Sequence, residues 1–141
     1  MHSNFEELKD AAEMLGLQYE ILTGEEASNI IETSFQKFEP SRRQGHLAIL
    51  NERSIKLKLS DHEYTFSEKL DDEPLLIFFE QTREKLDVVF KLFNGRNFSK
   101  ILEECSTLEY FLTNNTVDYL IAVNWYTIEI VDNKNFEVEK N

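Results

Sequence analysis

The chain has 141 residues, of which 41% are hydrophobic and 30% are charged, and its formal net charge at pH 7 is -12. This length suits one domain, and the apolar content is high enough to build a core, so we expect a single folded domain over residues 1–141. The negative charge disfavours binding to nucleic acid and to anionic membranes. No apolar run approaches the roughly 18 residues of a membrane-spanning helix.

The cysteine content and the first residues of the chain indicate a cellular compartment. Cys105 is the one cysteine of the chain, so no internal disulfide can form. The first ten residues include Glu6, Glu7 and Asp10, where a signal peptide would have a basic start and an apolar run. We therefore expect a cytoplasmic protein.

Two amphipathic helices are predicted near the N-terminus. Ser3 and Glu6 have the spacing of a capping box, and apolar residues then recur at helical intervals, which predicts a helix over residues 4–15. The same signals recur before a second helix over residues 24–38. Residues 17–22 between them are apolar on several sides and fit either a short strand or a packed connection.

The apolar pattern changes after the second helix. Residues 41–45 contain no apolar side chain, so they predict an exposed loop that could serve as a hinge between a helical layer and a sheet layer. Beyond them, short alternating or continuous apolar runs predict strands, and helical spacing after the Asn94-Gly95 turn predicts a short helix over residues 97–105. The predicted strands are residues 55–59, 75–79, 88–93, 108–112, 119–123 and 128–131.

The character of these strands indicates their places in the sheet. Lysines alternate with apolar residues in 55–59, which favours a position at the sheet edge. The continuous apolar run at residues 75–79 favours a central strand, which we expect to form a hairpin with residues 88–93. The acidic composition of residues 61–73 predicts a loop. In the polar C-terminal tail, only Phe136 and Val138 favour docking onto the core. Short connections favour antiparallel pairing. The sequence thus predicts an α+β fold, with two N-terminal helices packed on a mainly antiparallel sheet of about five or six strands and one further short helix.

The residues give little indication of catalysis. His2, His46 and His62 lack the spacing of a metal-binding helix, and the glycines form no phosphate-binding loop. Cys105 lies on the apolar stripe of the predicted short helix, which indicates a core residue. Pairs of carboxylates that are adjacent in the sequence indicate solvated surface. Arg42 and Arg43 could bind an anion with His46, but solubility or a salt bridge at the rim explains them better. We predict no catalytic residue, no metal and no cofactor.

A pair of aromatic residues is more informative. Trp125 and Tyr126 fall where the chain should turn between the last two strands. Two adjacent turn residues cannot both face the core, so either one ring folds over the sheet edge or the pair is an exposed aromatic anchor for a partner. The acidic loop would supply the charge for this anchor. The predicted partner-binding residues are Asp71, Asp72, Glu73, Trp125 and Tyr126.

The C-terminal half, residues 74–131, resembles small bacterial proteins of toxin-immunity families. The resemblance is carried by Leu-Leu-Ile-Phe-Phe-Glu at 75–80, Phe-Lys-Leu-Phe-Asn-Gly at 90–95, Ile-Leu-Glu-Glu at 101–104, Glu-Tyr-Phe at 109–111 and Tyr-Leu at 119–120. It implies a non-enzymatic α+β protein that neutralises a cognate toxin in the cytosol of the producing bacterium, and it carries over no catalytic residue.

Three hypotheses about function follow. The first is an immunity protein that occludes the positively charged active site of a basic toxin, such as a nuclease, with acidic residues that imitate substrate phosphates. The second is a small cytosolic enzyme with a carboxylate acid/base pair below the loop at residues 71–73. The third is an adaptor domain that forms a homo-oligomer through exposed strand edges.

Overall fold

The computed structural model describes residues 4–81, 87–106 and 108–136, and within these ranges it shows an α+β fold built on one antiparallel sheet of seven strands. The helices are α1 (Asn4–Leu15), α2 (Gly24–Phe38), α3 (Leu59–His62) and α4 (Phe98–Glu103). Short 3-10 helices cover Phe66–Lys69, Gly95–Asn97 and Lys134–Phe136. The strands are β1 (Tyr19–Thr23), β2 (Ile55–Lys58), β3 (Leu75–Phe78), β4 (Val88–Leu92), β5 (Tyr110–Thr113), β6 (Leu120–Val123) and β7 (Thr127–Val131). No helix in the described ranges combines the length and the apolar character needed to cross a bilayer.

The order of the strands in the sheet is β1-β4-β3-β5-β6-β7-β2. The predicted edge position of β2 is confirmed, and its outward Lys56 and Lys58 discourage pairing with another sheet. The predicted hairpin of β3 and β4 is also confirmed. Strand β3 is fully buried, as its apolar run predicts, but the middle of the sheet is its neighbour β5.

The sheet buries apolar side chains on both faces. Face A is the side of Leu75 and Ile77, and it is covered by α1, α4 and the segment around Phe66. Face B is the side of Leu76 and Phe78, and it is covered by α2 and by the segment that follows α2. A sheet that is apolar on both faces needs a cover on each of them.

The two N-terminal helices pack on the sheet as predicted, but they do not form one helical layer. Helix α1 contributes Leu8 to the core on face A, whereas α2 contributes Ile31 and Phe35 to the core on face B. The reason is β1, which lies between the two helices in the chain and pairs with β4 at the sheet edge. The chain therefore passes around this edge from one face to the other.

Strand β1 is also the strand that raises the count from six to seven. It covers most of residues 17–22, for which the sequence left a strand and a packed connection open. Its ladder with β4 pairs Tyr19 with Leu92, and the Tyr19 ring stacks on the ring of Phe90 at 5.1 Å between centroids. Only Leu22 among its five residues is fully buried, so the strand lacks a regular apolar alternation.

Two further segments differ from the expectation or lie partly outside the description. The segment 61–73 is not a simple loop, because its 3-10 helix buries Phe66 and Leu70 on face A. Phe136 is buried, which confirms that the start of the tail docks on the core. Val138 and the predicted connection at residues 82–85 lie outside the described residues.

Tyr110 on β5 provides a test of the core. Its side chain is fully buried against Phe98, and its hydroxyl has no hydrogen-bond partner among the described residues. Burial raises the pKa of this phenol well above its ordinary value.

We expect Tyr110→Phe to leave the free energy of unfolding unchanged or to raise it by up to about 1 kcal/mol, because it removes a buried polar group without a partner. Urea unfolding measures this change. The control is Tyr110→Ala, which opens a cavity and should cost about 3–5 kcal/mol. A loss of more than about 1 kcal/mol in Tyr110→Phe would contradict the assignment and indicate a bound water on the hydroxyl.

Candidate functional site

The predicted partner-binding residues lie at two opposite ends of the sheet. Trp125 and Tyr126 form the turn between β6 and β7, whereas Asp71, Asp72 and Glu73 come directly before β3. The start of β3 pairs with the end of β5, which lies next to the start of β6. The β6–β7 turn follows the end of β6, at the other end of the sheet. The two groups are separated by the strands and the residues that flank them, about 20 Å in total.

We call these regions the aromatic end and the acidic end. The aromatic end is the end of the sheet that carries Trp125 and Tyr126, and the acidic end is the one that carries the loop at residues 71–73. The structure does not bring this loop next to the aromatic pair. The end of the sheet at which an antiparallel strand begins depends on the strand order, which is not local in sequence.

Both rings at the aromatic end are exposed. Trp125 is 47% exposed and Tyr126 is 73% exposed, so neither ring is buried over the sheet edge. The turn itself is fixed by Asn124, whose side-chain oxygen accepts hydrogen bonds from the backbone N–H groups of Tyr126 and Thr127 at 2.8 and 2.9 Å. The amide group of Asn124 donates to the carbonyl oxygen of Leu47 at 3.1 Å. The aromatic pair is therefore held on a rigid turn.

The segment that Asn124 holds is a hairpin, which we call the strap and define as residues 41–50. An isolated antiparallel bridge joins Arg42 to Ala48, and Gly45 and His46 between them have positive φ values of 62° and 52°. The predicted exposed hinge is thus the tip of a hairpin that lies on face B, with Leu47 and Ile49 buried beneath it.

Three carboxylates from the sheet accept hydrogen bonds from the backbone of the strap. Glu80 follows β3, Glu109 precedes β5, and Glu129 lies within β7, where it is only 3% exposed. Sequence reasoning missed these three residues, although Glu129 interrupts an apolar strand. The bonds are Gly45 N–H to Glu80 at 3.0 Å, Leu47 N–H to Glu109 at 3.1 Å, and Ile49 and Leu50 N–H to the two oxygens of Glu129 at 2.7 and 2.6 Å.

A cleft of about 220 Å³ opens beside the turn. Its described lining consists of Trp125, Glu80, Glu109, the buried Leu108 and Asn4 at the start of α1. This cleft combines an aromatic surface, an apolar contact and two negative charges. Such a combination suits a ligand with an apolar stem and a positive head.

The basic residues of the strap are bound within the protein. The guanidinium of Arg43 lies 4.4 Å from the ring centroid of Phe35 on α2. Arg42 donates to the carbonyl oxygen of Gly45 at 3.0 Å, and the ring of His46 stacks on Tyr126 at 6.2 Å between centroids. These contacts support a structural role for all three side chains.

The acidic end contains a cavity of about 280 Å³ in which Asn114 is a central hydrogen-bond donor. Its amide donates to Glu73 and to Asp118, both at 3.0 Å, and the hydroxyl of Thr116 donates to Asp118 at 2.6 Å. The Thr116 bond and then the Asn114 bond lower the pKa of Asp118. Burial, and then the charge of Glu73, raises the pKa of the Tyr119 phenol in the same lining.

This end offers little support for acid catalysis or metal binding. A general acid needs a raised carboxyl pKa, whereas hydrogen bonds hold Asp118 in its charged form. Within the part of the chain that the structure describes, no group of three or more His, Cys, Asp or Glu side chains is placed to hold a metal ion.

Cys105 is half-buried at the margin of the face A core. Burial, followed by the charge of Glu7, raises the pKa of its thiol to about 11. A thiol that stays protonated at neutral pH is a weak nucleophile. Its surroundings therefore fit the predicted structural role.

The carboxylate of Glu129 should be essential for holding the strap. We expect Glu129→Ala to lower the free energy of unfolding by about 2–4 kcal/mol, because it leaves the backbone N–H groups of Ile49 and Leu50 in the strap without an acceptor. Urea unfolding measures the loss, and faster amide hydrogen exchange at Ile49 and Leu50 locates it.

The matched control is Glu20→Ala on the exposed side of β1, which should change the free energy of unfolding by no more than about 0.5 kcal/mol. Equal losses in the two variants, or unchanged exchange at Ile49 and Leu50 in Glu129→Ala, would contradict this assignment.

The chain was compared with protein-family models, with curated proteins and with solved structures. None of the three comparisons gives a match. The resemblance of residues 74–131 to toxin-immunity families therefore stays a prediction, and a function for this chain has to be argued from its own side chains.

Proposed function

We propose that this chain is a non-enzymatic protein-binding protein, and in its most concrete form a bacterial immunity protein that neutralises a cognate basic toxin by covering the toxin's active site. The observation that carries the proposal is the exposed pair Trp125 and Tyr126 on a turn fixed by Asn124. The resemblance of the C-terminal half to immunity families gives the proposal its biological form.

The exposed pair has the properties of an interface anchor. Tryptophan and tyrosine are enriched among the residues that dominate binding energies, because each buries a large area and also carries a polar group. The turn is already ordered by hydrogen bonds in the free protein, so little conformational entropy is lost when a partner covers it. Both properties favour tight binding at the aromatic end.

The net charge acts over a longer range. A charge of -12 attracts a basic partner and accelerates its approach. The loop at residues 71–73 lies at the other end of the sheet, so we assign it to this attraction and not to the contact itself. At physiological salt the screening length is about 8 Å, so we expect the loop to affect the association rate mainly at low ionic strength.

Growth protection tests the aromatic anchor. The chain is co-expressed in a sensitive bacterial host with a basic toxic domain sought in the neighbouring reading frames, and under the proposal the wild type should restore growth. Trp125→Ala combined with Tyr126→Ala should abolish protection and raise the dissociation constant roughly 30-fold or more, measured by surface plasmon resonance.

Tyr64→Ala is the matched control, because Tyr64 is also an exposed aromatic residue, at 45%, but lies outside the turn. It should protect as well as the wild type. Protection by the double variant would contradict the role of the turn, and failure of the wild type to bind or protect would contradict the proposed function.

Salt dependence tests the role of the acidic end. Asp71→Asn combined with Asp72→Asn should lower the association rate about two- to fivefold at low ionic strength and leave the dissociation rate unchanged, because the loop attracts the partner without touching it. The difference from the wild type should vanish at high salt. A change confined to the dissociation rate would instead place the loop inside the contact.

A further inference from the structure

We propose that the cleft beside Trp125 receives an arginine side chain of the protein partner. This inference deepens the proposed function, on which it rests, by stating the chemistry that the aromatic end recognises. It depends on the two carboxylates of the cleft, on its aromatic wall and on its apolar contact.

The carboxylates of Glu80 and Glu109 lie side by side with the same charge. The ladder between β3 and β5 pairs Phe78 with Phe111, and the same register continued by two residues places Glu80 opposite Glu109. Like charges at opposed positions of neighbouring strands are unfavourable. A cation bound between them would offset this repulsion.

Each of these carboxylates keeps one oxygen available. Glu80 uses Oε2 for the N–H of Gly45, and Glu109 uses Oε1 for the N–H of Leu47. Among the residues that the structure describes, no donor is recorded for Oε1 of Glu80 or Oε2 of Glu109. With respect to the described part of the chain, each glutamate of the cleft lining therefore has one charged oxygen to which no donor is recorded.

The remaining lining selects the type of cation. Trp125 belongs to the lining, and a planar guanidinium can stack on an indole face, a cation–π contact that is strongest with tryptophan. Leu108 gives the aliphatic stem of a long side chain an apolar contact. A guanidinium also has donors for two separate carboxylates, which a compact ammonium group meets less well.

The position of the cleft identifies the source of this arginine. Trp125 belongs both to the cleft lining and to the exposed turn, so a group in the cleft lies within any interface that covers the turn. The net charge of -12 favours partners with a basic surface. We therefore assign the cleft to an arginine of the bound protein and not to a free small cation.

Trp125 is the one tryptophan of the chain, so its signals report directly on the cleft. The probe is a blocked pentapeptide, Gly-Gly-Arg-Gly-Gly, titrated against the full chain while the indole N–H resonance and the fluorescence are followed. We expect a saturable shift with a dissociation constant in the millimolar range. The same peptide with citrulline, the uncharged isostere of arginine, should give no saturable shift.

Glu80→Gln combined with Glu109→Gln removes both charges but keeps a side-chain oxygen that can accept the N–H groups of the strap. This variant should bind the arginine peptide roughly tenfold more weakly. The control is Glu20→Gln combined with Glu25→Gln, two exposed carboxylates outside the cleft, which should bind it like the wild type.

The inference is overturned if arginine and citrulline peptides shift the indole equally, or if the Gln variant of the cleft binds the arginine peptide like the wild type. The citrulline comparison needs no substitution, so it decides even if the Gln variant does not fold. If the arginine peptide fails to bind while the aromatic turn is still needed for growth protection, this inference fails and the proposed function stands. If the peptide binds but the chain inhibits no toxin, the cleft is an arginine site and the proposed function fails.

Discussion

The arrangement of the aromatic end depends on the hydrogen bonds between the strap and three carboxylates of the sheet. The strap crosses the strands and does not extend a ladder, so its inner N–H groups need acceptors other than a neighbouring backbone. Glu80, Glu109 and Glu129 supply them. The strap in turn buries Leu47 and Ile49 on face B. The carbonyl oxygen of Leu47 accepts a hydrogen bond from the side-chain amide of Asn124, the residue that fixes the turn. The exposed pair is thus positioned by a chain of contacts that begins in the middle of β7.

The two ends of the sheet suit different steps of one binding event. The acidic end lies about 20 Å from the turn, so its charge can influence how fast a basic partner arrives but not how tightly the partner is held. The aromatic end combines two exposed rings with two glutamates that line the neighbouring cleft. Short-range complementarity of this kind mainly controls how slowly a complex separates. The proposed protein-binding function needs both steps, and under this proposal they belong to separate surfaces.

The parts of this structure that the sequence predicts are those with local causes. Helices α1 and α2 begin and end close to the predicted residues, because helical spacing lies within one segment. Thr23 is the N-cap of α2, as its position predicts, but its side chain makes no capping hydrogen bond. The buried strands β3, β5 and β6 follow from short apolar runs. The strand order does not follow from any local pattern, and it is the reason why the acidic loop and Trp125 are apart. The carboxylates that hold the strap were missed because their partners are 35, 62 and 80 residues away in the chain.

Glu80 and Glu109 each serve two structures, because one oxygen of each holds the strap and both residues also line the cleft. This double use has an evolutionary consequence. A lineage that changed its partner by replacing either glutamate would also weaken the scaffold that presents its own recognition surface. The side chain of Tyr126 does not hold the strap in this way. It is mostly in solvent, and among the described residues its ring stacks only on His46. Divergence in partner choice among descendants of this chain should therefore accumulate at position 126, while the glutamates persist.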